Sequence, residues 1–174
     1  MRRRRQHRRD ARTSGREVYQ LRERLVAIGD DYWIETQSGR RAFKVDGKVL
    51  RLRDTFVIEG PDGSWRVRMK HRPVRVRDTW HIERPGGPDA TLHKAMVGPL
   101  RDRWVLEADD IGTWKIQGNL VEHEYRIDSD DGPVAETSKR WVRARDTYGV
   151  EVDPEADAAL VLAVTVAIDQ AAHD

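Results

Sequence analysis

Twelve residues from Arg66 to Arg77, RVRMKHRPVRVR, carry six cationic side chains and one histidine without a single acid. In a strand, alternation puts Arg66, Arg68 and Lys70 on one face, with Val67 and Met69 on the other. Past Arg72 and a turn expected at Pro73, Arg75 and Arg77 flank an inward Val76, and Arg51 and Arg53 extend the patch from the preceding strand. Guanidinium forks contact phosphate oxygens two at a time, so such a face is suited to an anionic phospholipid headgroup or another phosphorylated ligand. The same residues also fit a solvated outer face whose charges are balanced by acids on neighbouring strands.

Other residues with chemical potential are less suggestive. His123 and Glu124 lie in HEYRI, which lacks the second histidine of a zinc-protease helix. The six histidines, at positions 7, 71, 81, 93, 123 and 173, have no metal-ligand spacing, and the chain has no cysteine. No metal, cofactor or catalytic residue is therefore expected. The turns GPDGS and PGGP lack the lysine and following helix of a phosphate-cradling loop. Tryptophans are read as core or seam residues rather than as base-stacking platforms.

The elements that must position these residues form a repeat. DDYWIE at Asp30, DTFVIE at Asp54, DTWHIE at Asp78, DRWVLE at Asp102, HEYRID at His123 and DTYGVE at Asp146 start 24, 24, 24, 21 and 23 residues apart. A fixed period signals one supersecondary unit used repeatedly. As strands, these segments place Tyr32, Phe56, Trp80, Trp104, Tyr125 and Tyr148 on the same face as Ile34, Ile58, Ile82, Leu106, Ile127 and Val150. Glu35, Glu59, Glu83, Glu107, Asp128 and Glu151 take the opposite, wet face, which makes them architectural rather than catalytic. The leading Asp of each template is expected to cap a turn through its own backbone.

Five templates are followed by a turn (QSG, GPDG, PGGP, ADD before Gly112, DSDDG) and a partner strand beginning near Ala42, Trp65, Ala90, Trp114 and Val134. With an opening strand near Val18 the total is twelve, joined by short connections as an antiparallel meander. Closing that sheet removes its edges, and a barrel of this size has a lumen too wide for side chains alone.

The last segment supplies the filling. From Ala158 to Ile168 the chain reads AALVLAVTVAI, eleven residues without a charge. A helix apolar on every side must be buried on every side, and this run is well short of the roughly 20 residues that span a bilayer. Asp153 and Pro154 are read as N-cap and first helical position of a central helix over 154–172.

The 174 residues carry a formal charge of +2, but residues 1–16 hold eight arginines against one aspartate, which leaves the remainder at −5. This tail is expected to be disordered and to serve either solubility or contact with anionic lipid or nucleic acid. No apolar signal segment follows it, and a cytoplasmic protein, peripheral at the membrane if lipid is the ligand, is expected.

GNLVEHEY from Gly118, RDTYGVEV from Arg145 and ALVLAVTVAID from Ala159 resemble the LURP-one-related family, its bacterial branch included. The likeness covers residues 17–173. It implies the tubby C-terminal fold: a mainly β, closed twelve-stranded antiparallel barrel around a C-terminal hydrophobic helix, here as residues 17–174. Tubby domains bind phosphoinositides, and phospholipid scramblases look like relatives, so the resemblance favours a non-enzymatic binding module for an anionic ligand. Nucleic-acid binding through the tail is the second reading, and an enzyme or scramblase-like activity is the third.

Overall fold

The computed structural model describes residues 15–23, 31–46, 55–74, 77–95 and 103–173. Twelve antiparallel strands run β1 (Glu17–Arg22), β2 (Tyr32–Thr36), β3 (Arg41–Asp46), β4 (Thr55–Glu59), β5 (Trp65–Val74), β6 (Arg77–Glu83), β7 (Ala90–Ala95), β8 (Arg103–Ala108), β9 (Gly112–Asn119), β10 (Glu124–Ser129), β11 (Gly132–Ser138) and β12 (Thr147–Val152). Each pairs with its sequence neighbours, and β1 also pairs with β12, which closes the barrel. The six templates become the even-numbered strands and the segments after the turns become β3, β5, β7, β9 and β11. Their aromatic and aliphatic positions face inward: Phe56, Ile58, Ile82, Leu106, Ile127 and Tyr148 lose all solvent contact.

Inside runs helix α1 (Ala158–His173). Leu160 through Val164 and Val166 through Ile168 are buried, eight apolar residues that cover every direction around the axis and join one core with the inward strand residues. Thr165 meets the same interior by donating its hydroxyl to the Val161 carbonyl at 2.9 Å. The helix begins later than its sequence signals indicate. Asp153 and Pro154 form a turn, in which the Asp153 carboxylate accepts from the Glu155 amide. Asp157 is the N-cap instead, accepting from the Leu160 amide at 3.2 Å.

Two features distort the period-two pattern. β-Bulges fall between Ile34 and Glu35, between Ile58 and Glu59, and between Ile127 and Asp128, the same template position in three repeats. The leading residue of the last two templates, His123 and Asp146, has φ of 55° and 57°. That left-handed conformation is one that Asp and His tolerate better than most residues. Asp78, by contrast, sits within β6 opposite Pro73. Asp30, Asp54 and Asp102 lie outside the described residues.

Arg16, grouped with the tail by its charge, is docked onto the barrel, with its guanidinium 3.0 Å from Glu151 and 3.6 Å from Asp153. Of the tail expected over 1–16, residues 1–14 lie outside the described residues. Among the described residues no helix is long and apolar enough to cross a membrane.

Candidate functional site

The basic run forms β5 and the start of β6. Strand β5 does not turn at Pro73 but continues to Val74, pairing Pro73 with Asp78 and Val74 with Arg77. Among the described residues β5 pairs with β4 as far as Lys70. The expected alternation holds: Val67 and Met69 are fully buried, and Arg66, Arg68 and Lys70 lie outside. Arg72 is exposed. Arg51, Arg53 and Arg75, as well as the side chain of Arg77, fall outside the described residues.

The cations are partly compensated. Glu83 on β6 receives Arg68 at 2.9 Å and Lys70 at 2.6 Å, and Arg66 approaches Asp62 at 3.7 Å. The Lys70 ammonium, and after it the Arg68 guanidinium, hold the Glu83 carboxyl below its usual value. Four cations on one strand face thus meet two carboxylates, and among the described residues no acid bridges Arg72. Glu83 comes from a template strand, as an ordinary solvated sheet face would have it, yet among the described residues a positive excess remains.

One residue beside this row departs from expectation. Trp80, Trp104 and Trp114 are core, but Trp65 is 37% exposed. Simple alternation from Val67 would turn Trp65 inward. The bulge at Glu59 sets that residue opposite Trp65 and resets the face. The Arg68 guanidinium carbon lies 5.0 Å from the indole centroid, within cation–π range.

A second constellation was not legible as a site. His123, at the entrance to β10, is 1% exposed and donates from Nε2 to Asp169 Oδ1 of α1 at 2.6 Å, with Asp169 itself 3% exposed. The imidazole stacks on Tyr148 at 4.1 Å between centroids, and its Nδ1 lies 3.8 Å from Glu23, which Lys139 holds at 2.6 Å. The Thr137 hydroxyl donates to the His123 carbonyl at 3.0 Å. Burial, then the Asp169 charge, pushes the Tyr148 phenol well up. Glu124 points the other way, accepting from Ser138 and the Lys139 amide. The one available signal was Asp169 itself, a lone carboxylate ending the apolar run, because a buried charge requires a partner. Chemically the pair can tie the helix to the barrel wall. Both side chains are closed to solvent. Among the described residues no three His, Asp or Glu side chains are grouped to hold a metal ion.

A sequence model of the LURP-one-related family matches residues 17–169. The fold is similar to an X-ray structure of a protein from Arabidopsis thaliana, with a TM-score of 0.60 and 16% identity over 90% of this chain and 91% of that one. No curated protein sequence matches the chain significantly.

Proposed function

The chain belongs to the LURP-one-related family, and from that membership, its closed barrel and the outer face of β5 we propose that it is a non-enzymatic binding module for an anionic, phosphorylated ligand. The observation that carries the reading is the alternation of Arg66, Arg68, Lys70 and Arg72 along one outer face, whose charge the acids Glu83 and Asp62 offset only in part. It stands out against a chain whose residues beyond the first sixteen sum to −5. A binding role also suits the interior, where α1 occupies the space a substrate would need and His123 and Asp169 are sealed from solvent.

The test compares vesicles containing phosphatidylserine or phosphoinositide with neutral vesicles, using protein lacking residues 1–14 so that the arginines ahead of Gly15 contribute nothing. Reversing Arg66, Arg68 and Arg72 to Glu should weaken binding more than a hundredfold, since each basic residue at an anionic surface contributes about 1 kcal/mol. Unfolding stability should change by no more than about 1 kcal/mol, because the side chains are solvated. Failure of the parent protein to bind either anionic vesicles or inositol phosphates at low salt overturns the reading, as does undiminished binding by the triple variant.

A further inference from the structure

The cationic row and the exposed tryptophan belong to one surface. Arg66, Arg68, Lys70 and Arg72 follow one another at every second residue, so the row spans about 20 Å at a strand's rise of roughly 3.3 Å per residue. The outer wall of a closed barrel is convex, and the row runs along it. Cations set in a line on a convex wall do not converge on one point as those of a small-ligand pocket do. They match a target that is itself extended and carries many negative charges.

Trp65 stands at the start of that row, after the Gly60–Ser64 turn, and its ring is faced by the Arg68 guanidinium. Among the described residues Trp65 and Val121 are the exposed large hydrophobic side chains, and Trp65 is the one next to the cations. An indole left half in water beside arginines is the pairing that settles at the headgroup level of a bilayer, with its apolar body toward the acyl chains and its N–H toward water. A single-stranded polyanion would instead stack its bases on open aromatic faces, and here Arg68 covers one of them.

We propose that Trp65, with the outer row of β5, docks the barrel onto an anionic membrane surface, the indole entering the interface while Arg66, Arg68, Lys70 and Arg72 contact headgroup phosphates. This rests on the binding role proposed above and names its partner as a lipid surface rather than a free phosphorylated molecule.

The experiment measures the full chain and its Trp65→Ala variant against vesicles of phosphatidylcholine with phosphatidylserine, against inositol hexakisphosphate, and against a single-stranded oligonucleotide. The expected result is a loss of at least about tenfold in vesicle affinity for the variant, from the apolar contact removed. Binding to the soluble phosphate and to the oligonucleotide should be unchanged. Raising the salt should weaken both proteins, but the parent should retain a residual vesicle affinity that the variant lacks, because contact of the indole with the interface is not screened. Equal vesicle binding by the two proteins, with both still held by inositol hexakisphosphate, overturns the membrane anchor and leaves the phosphate-binding role standing. A loss confined to the oligonucleotide identifies Trp65 as a stacking platform and overturns the membrane assignment. A parent that binds neither vesicles nor soluble phosphate overturns both readings. Since Trp65 is exposed, matching thermal transitions of variant and parent verify that the fold is intact.

Discussion

Breaking the tie between His123 and Asp169 should cost more stability than any surface change on this protein. The two side chains meet at 2.6 Å with 1% and 3% of their surfaces exposed, so a polar group left behind there has no bulk water to replace the lost partner. Removing one member of such a buried pair typically costs about 3–5 kcal/mol, a large part of the ~5–15 kcal/mol that holds a domain folded. The two singles should not be equal. Asp169→Ala leaves an imidazole that still has Glu23 at 3.8 Å from Nδ1, so it should fall at the lower end of that range. His123→Asn removes the 2.6 Å partner of the Asp169 carboxylate inside the barrel and should be the costlier change. Asparagine suits this position because it tolerates the φ of 55° that His123 adopts, so the measured loss reports the side chain rather than backbone strain. Urea denaturation of both singles and the double, followed by tryptophan fluorescence, completes the cycle, and the double should recover at least about 2 kcal/mol against the sum. Losses below about 1 kcal/mol for both singles, or additivity within about 0.5 kcal/mol, would refute the argument that the pair is a buried tie.

The helix carries a second prediction: Val164→Asp places an unpartnered charge at a position with no solvent contact and should abolish cooperative unfolding, whereas a normal melting curve would mean the helix is not enclosed. The third concerns alkaline pH. The Tyr148 phenol is raised in the folded state and titrates near 10 when unfolded, so the stability it contributes is complete below pH 10 and is lost as pH rises from there toward its folded value. Tyr148→Phe should therefore lessen the decline by about 1.4 kcal/mol per pH unit, with little change at pH 7, and parallel denaturation curves for the two proteins between pH 10 and 12 would contradict this.

The six templates predict the barrel because each brings its aromatic and aliphatic residues to one face and its acid to the other, and closure is the way such a meander rids itself of edges. The helix was legible for the same reason, since a segment with no polar face has nowhere to lie but inside. Its start was misread because Asp153 and Asp157 both satisfy a capping pattern, and only the geometry of the turn after β12 decides between them. The alternation of Arg66, Arg68 and Lys70 on β5 was likewise readable, but the partners were not: Glu83 lies thirteen residues beyond Lys70 and reaches it through the β5–β6 register.

What the sequence determined alone was therefore whatever depends on local period: the repeated hairpins, the alternation of strand faces, the apolar helix and the sign of the β5 face. The tertiary structure decided what depends on register and distance. The bulge at Glu59 turned Trp65 to solvent, although alternation assigns it to the core. The path of the chain carried Asp169 back to His123, forty-six residues earlier, and made a buried pair of two residues that share no motif. A period repeats along the chain and can be counted, whereas a bulge shifts one strand against its neighbour and a buried hydrogen-bonded pair joins distant segments. Both are fixed only when the barrel closes around the helix.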